Sequence, residues 1–99
     1  MDNNTVVNEK KAGLGYVIKL LRTARELSMK ELAQKMNVST AYVSEVEANK
    51  KHPSLEMLSK FSTALGVSRS SILYFDEEGE KHGYNHQKLL LEILEKIGD

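Results

Sequence analysis

The sequence predicts an all-α protein: five short helices forming one bundle, then a short linker and a sixth, amphipathic helix. Three observations predict it. Apolar residues recur at three- and four-residue intervals in a series of short stretches, the spacing of helices with one buried stripe. Serines stand immediately before several of those stretches, where a hydroxyl can accept from an unpaired first-turn amide. The two-residue alternation of a half-buried strand is found nowhere.

Residues 1–13 carry no periodicity, include Asn3, Asn4, Asn8 and the pair Lys10-Lys11, and read as a flexible arm. From Leu14, apolar residues fall at positions 14, 17, 18, 21 and 24, predicting a first helix that ends near Leu27. Ser28, with Glu31 three residues on, has the spacing of a capping box and starts a second helix, Met29 to Met36. That helix buries Leu32, Ala33 and Met36, and Asn37, which tolerates the left-handed conformation, ends it. Ser39 caps a third helix, Thr40 to Ala48, with Val43 and Val46 inward. Two helices this short cannot stand alone and must brace each other across their tight turn, as a helix-turn-helix pair does.

The segment Asn49-Lys50-Lys51-His52-Pro53 is a basic loop in which Pro53 blocks helix continuation. Ser54 caps a fourth helix with the stripe Leu55, Leu58, Phe61 and Leu65, stopped by Gly66. Ser68 caps a fifth that contributes Ile72, Leu73 and Phe75. Residues 76–85, DEEGEKHGYN, read as an acidic linker, and helical spacing returns in residues 86–99 through Leu90, Ile93, Leu94 and Ile97.

Composition narrows the function. Net charge is zero over 99 residues, but the halves differ. Residues 1–75 hold eleven Lys/Arg against seven Asp/Glu, and residues 76–99 hold three against seven. A basic body with an acidic tail is compatible with a polyanionic partner that the overall charge conceals. The lack of cysteine removes disulfides and thiolate metal sites and fits a reducing compartment. A polar start and the lack of a long apolar run predict a soluble, cytoplasmic protein without a membrane segment. His82 and His86 are four apart, but Gly83 and the linker composition oppose a helical metal site there, and His52 has no evident partner. No nucleophile–base set or phosphate-cradling glycine loop occurs, so neither a catalytic residue nor a metal or cofactor is expected. The four methionines read as core and helix filler.

The run SMKELAQKMNVSTAYVSEVEANKKHPSLEMLSKFSTALGVSRSSIL resembles the lambda-repressor-like, Cro/repressor-type helix-turn-helix domains, also called the XRE family. The likeness spans Leu14 to Phe75. Its most specific parts are Glu31-Leu32-Ala33, Val43-Ser44, Glu47, Pro53-Ser54 and Leu65-Gly66-Val67, found together and in order. The resemblance implies a five-helix DNA-binding domain over 14–75, with 29–48 as the motif and Thr40 to Ala48 as the recognition helix. It also implies an ion pair between Arg22 and Glu47 that fixes that helix to the body. Two positions depart from the pattern. Asn49 stands where the family usually has glycine, and Ala48 where it often has a polar residue that holds a phosphate.

A duplex must be held by its phosphates and read by its base edges. With Val43 and Val46 inward, residues 40, 41, 44, 45 and 48 share the outer face. Thr40 and Ala41 suit a thymine methyl, Ser44 donates or accepts, and Glu45 can accept from a cytosine amino group. Glu45 as a solvated side chain that lowers affinity is the competing assignment. Phosphate contacts are assigned to Ser28 and Ser39 at helix N-termini, to Lys50 and Lys51, and to Asn49. Tyr42 lies at the margin of the buried face, where packing competes with a phosphate hydrogen bond.

The last helix has more apolar residues than one narrow stripe needs and must pack on something. Pairing with a second protomer through Leu90, Ile93, Leu94 and Ile97 is the favoured arrangement, because a two-fold dimer matches a two-fold operator. Packing on its own domain and docking another protein are the alternatives. The expected function is a homodimeric repressor of an inverted-repeat operator, in a bacterium or phage. The alternative is an antitoxin or adaptor whose last helix binds a partner protein and whose DNA binding serves autoregulation.

Overall fold

A computed structural model describes residues 13–83 and the helix spanning residues 86–97. It is helical throughout, with no strand among the described residues. The helices are α1 (Leu14–Ala24), α2 (Met29–Met36), α3 (Thr40–Glu47), α4 (Leu55–Leu65), α5 (Arg69–His82) and α6 (His86–Ile97). The arm assigned to residues 1–13 lies outside the described residues except for Gly13.

Local chemistry sets most of the boundaries. The hydroxyls of Ser28, Ser39 and Ser68 each accept the amide three residues on at 3.0 Å, and that of Ser54 does so at 3.1 Å. Glu31 answers Ser28 by accepting its amide at 2.8 Å, completing the capping box. Four helices end alike, on a left-handed residue: Glu26 after α1, Asn37 after α2, Asn49 after α3 and Gly66 after α4. In each, that residue and its successor donate back to the last turn, as Asn49 does to the Val46 carbonyl at 2.9 Å and Lys50 to Glu45 at 2.8 Å. This explains why α1 stops at Ala24 rather than near Leu27. Glu26 turns the chain at φ 59°, which a residue with a Cβ rarely adopts.

The core gathers Leu14, Val17, Ile18, Leu20 and Leu21 of α1 with Leu32, Ala33 and Met36, Val43 and Val46, Leu58, Phe61 and Leu65, Ile72 and Phe75, and Ile93. α1 contacts α3, α4, α5 and α6, and therefore buries more than one stripe. Arg25 adds a polar tie. Its Nε donates to the Leu65 carbonyl at 2.8 Å and its Nη2 to Gly66 at 3.1 Å, placing a cation at the negative end of α4.

Three further expectations change. Leu55 and Leu73, assigned inward, are exposed, Leu55 by 71% because it opens α4 ahead of the turn that meets the core. Residues 76–82 are the last turns of α5 rather than linker, and Gly83 at φ 85° closes that helix. Glu77, Glu78, Glu80 and Lys81 are good helix formers, Gly79 is buried, and α5 packs on α1, so favourable contacts offset the helix cost of one glycine, about 1 kcal/mol. Finally, α6 folds back on α1 and α5. Ile93 is fully buried in the common core and Leu90 half-buried. Leu94 instead faces outward with Leu91, and the Ile97 side chain lies outside the described residues. Burying an isoleucine is worth about 2 kcal/mol, enough to hold a 12-residue helix that is marginal alone.

Candidate nucleic-acid interface

α2 and α3 pack against each other across their short turn, and α3 is oriented by what it buries. Val43 and Val46 are sealed in the core, which leaves Thr40, Ala41 and Ser44 exposed on the outer face and Glu45 half-exposed beside them. Ala48 is exposed just past the last helical residue, Glu47. The four residues assigned to base reading therefore lie along one accessible side of α3.

Two contacts tie the C-terminal end of α3 to α1. Arg22 Nε donates to Glu47 Oε2 at 2.7 Å and Nη2 to Oε1 at 3.1 Å, a two-pronged pair whose side chains are only 12% and 5% exposed. Arg22 Nη1 also donates to the Leu27 carbonyl at 2.8 Å, so the same guanidinium braces the turn into α2. The second contact is Asn49 Oδ1, which accepts the Gly15 amide at 3.0 Å. The Asn49 side-chain carbonyl is thus engaged within the protein although the residue is exposed, and a phosphate contact would fall to its side-chain N–H.

The serines assigned to phosphate hold helix ends. Ser28 Oγ and Ser39 Oγ accept from Glu31 and Tyr42, and the Ser28 amide is occupied by Glu31. Each hydroxyl keeps its own proton for an outside acceptor. The Tyr42 ring stacks on Phe61 with centroids 6.3 Å apart and lies 5.8 Å from Lys51 Nζ, so packing accounts for its position. Burial pushes the Tyr42 phenol above its usual pKa, with Lys51 pulling the other way. Lys50 and Lys51 are exposed, and Lys51 Nζ sits 3.4 Å from Glu45 Oε1. This open ion pair adds little stability but gives Glu45 a protein partner that sequence reasoning did not foresee.

Other features lie apart. A groove of about 470 Å3 between α2 and α4, lined by Lys35, Met36, Glu56 and Lys60 among others, contains none of the outer α3 residues. Among the described residues no group of three or more His, Cys, Asp or Glu could hold a metal ion. The side chains of His82 and His86 lie outside those residues. Nor is any described helix long and apolar enough to cross a membrane.

Sequence reasoning missed Gly15, Arg25 and the hydrogen bond that Asn49 accepts from Gly15. A Gly-x-Gly start to α1 with no side-chain cap was the one available sign that something else approaches this helix end.

Comparison with known proteins agrees with this fold. The helix-turn-helix family model HTH_3 matches residues 18–72, more than half of the chain. The chain is 31% identical over 88 residues to an immunity repressor protein of Bacillus phage phi105, covering 85% of this chain and 61% of that protein. It is 37% identical over 71 residues to the HTH-type transcriptional regulator SinR of Bacillus subtilis (strain 168), covering 71% and 64%. The chain thus spans less than two thirds of the length of these relatives. Among solved structures, the clp gene regulator ClgR from Corynebacterium glutamicum superposes with a TM-score of 0.65 at 31% identity, covering 84% of this chain and 87% of that one.

Proposed function

The chain belongs to the lambda-repressor-like, Cro/repressor-type (XRE) helix-turn-helix family of transcriptional regulators, and from that premise we propose that it is a homodimeric repressor that lays α3 in the major groove of an inverted-repeat operator. The observation that carries this reading is the outer face of α3. Thr40, Ala41, Ser44 and Glu45 line an accessible side of a helix whose opposite side is locked by Val43, Val46 and the Arg22–Glu47 pair. A groove about 12 Å wide admits such a helix, and the short side chains of Thr40, Ala41 and Ser44 let the backbone come close to the bases. Lys50, Lys51, Ser28 and Ser39 supply phosphate contacts, few enough that one domain binds weakly and two are needed. Control of transcription in a cytoplasmic setting follows from that role.

A second protomer is assigned to the outer side of α6. Ile93 is taken up by the chain's own core, so the dimer contact falls to Leu91 and Leu94, exposed by 63% and 44%. The same two leucines favour a second reading, in which α6 captures a different protein and DNA binding serves autoregulation. Removing residues 76–99 cannot separate these readings, because it would also take Ile93 out of the core.

Selection of the purified full chain against a random duplex library at near-physiological salt tests the proposal. An inverted repeat with half-sites about one helical turn apart is expected. Recovery of no consensus, with weak and purely salt-dependent binding, overturns it.

A further inference from the structure

We propose that Asn49 is a positioning residue for base reading: its side-chain carbonyl latches the end of α3 to the Gly15 amide and sets the angle at which α3 meets DNA. The inference rests on α3 being the reading helix and adds a residue whose role differs from the phosphate contact first assigned to it.

The first amides of a helix have no partner within it, and they need one when buried. Gly15 is the second residue of α1 and is buried, and Gly13 before the helix provides no side-chain cap. The missing acceptor arrives from 34 residues away as Asn49 Oδ1, at 3.0 Å. The approach is close enough to require glycine. A Cβ on Gly15 would lie 2.2 Å from the Val46 carbonyl oxygen and 2.8 Å from that of Glu47, both backbone atoms of α3. Asn49 meanwhile holds φ 61°, closing α3. Asparagine meets both demands, a left-handed backbone and a side-chain acceptor, whereas glycine would meet only the first.

The latch matters because α3 is short and is read at its far end. Its eight residues span about 12 Å, so about 5° of slack at the Glu47 end moves Thr40 by about 1 Å. The Arg22–Glu47 pair is one polar attachment of that end to α1, beside the packing of Val43 and Val46 in the core. Asn49, two residues further on, supplies a second polar attachment to the same helix α1 and narrows the range of angles left to that end.

The test compares the full-length chain with Asn49→Gly and Asn49→Asp. Affinities are measured for the selected duplex and for a scrambled duplex of equal length at one salt concentration, and the Gly15 amide is followed by hydrogen exchange. The ratio of the two affinities is independent of the folded fraction, which scales both equally. Asn49→Gly keeps the left-handed turn and is expected to lower the ratio at least tenfold, to leave scrambled-duplex affinity within about twofold, and to speed Gly15 exchange at least tenfold. Asn49→Asp restores the acceptor and is expected to hold the ratio and the Gly15 exchange rate within about twofold of the wild type, even as its charge weakens both duplexes. Equal weakening of both duplexes by Asn49→Gly would assign Asn49 to phosphate and overturn the proposal. An unchanged ratio or unchanged Gly15 exchange in that variant would overturn it as well. A wild-type chain with no preference between the duplexes would overturn the base-reading assignment itself, and this proposal with it.

Discussion

Arg22 and Glu47 meet in a two-pronged ion pair, at 2.7 and 3.1 Å, that joins α1 to the last residue of α3. Both side chains are largely withdrawn from water, so each depends on the other to compensate its lost hydration. The pair therefore contributes more through what its rupture costs than through its own net attraction.

Truncating Glu47 to Ala leaves that guanidinium unpaired and is expected to lower unfolding stability by about 3 kcal/mol. Replacing both partners, as Arg22→Met with Glu47→Leu, is expected to cost clearly less than the two single changes added together. Urea unfolding of the four proteins in the cycle measures this, and a strictly additive result would contradict a coupled pair.

Gly15→Ala tests the contact between α1 and α3 by adding a single methyl group. With backbone oxygens at 2.2 and 2.8 Å from the new carbon, nothing flexible can yield. A loss of about 3 kcal/mol, read as a lower melting temperature, is expected together with weaker operator binding. An unchanged melting temperature would mean the two backbones are further apart than the structure places them.

Lys51 and Glu45 are expected to separate affinity from specificity. Their ion pair is open to solvent, so Lys51→Ala should change stability by less than about 0.5 kcal/mol while reducing the salt dependence of DNA binding by about one phosphate contact. Glu45→Ala should instead relax the preference at one base pair, a discrimination of about 1–3 kcal/mol in a competition assay. If Glu45→Ala tightens binding to every duplex equally, the carboxylate is only repelling phosphate.

The two sides of α6 predict opposite phenotypes. Ile93→Ala opens a cavity in the core and should cost about 2–5 kcal/mol of stability. Leu91→Lys with Leu94→Lys alters exposed positions and should leave stability within about 0.5 kcal/mol while producing a monomer in analytical ultracentrifugation. A dimer that survives the double lysine change would move the protomer contact elsewhere.

What could be read from the sequence was whatever depends on neighbours a few residues away. Ser28, Ser39, Ser54 and Ser68 announce helix starts because each bonds an amide three residues on, and Asn37 and Gly66 announce helix ends because their backbones tolerate a left-handed turn. The inner face of α3, and so its outer face, followed from spacing alone. Only the tertiary structure decided the rest. Glu26 turns the chain with no sequence mark, Leu55 and Leu73 fit a buried rhythm yet face outward, and α5 runs through an acidic stretch because α1 supports it. The Asn49 side-chain carbonyl is engaged because Gly15, 34 residues away, presents a buried amide, and Ile93 joins the core because α1 and α5 present a surface for α6. Hydrogen bonds and burial between distant segments are set by where the helices come to rest, and periodicity along one helix holds no information about the element opposite it.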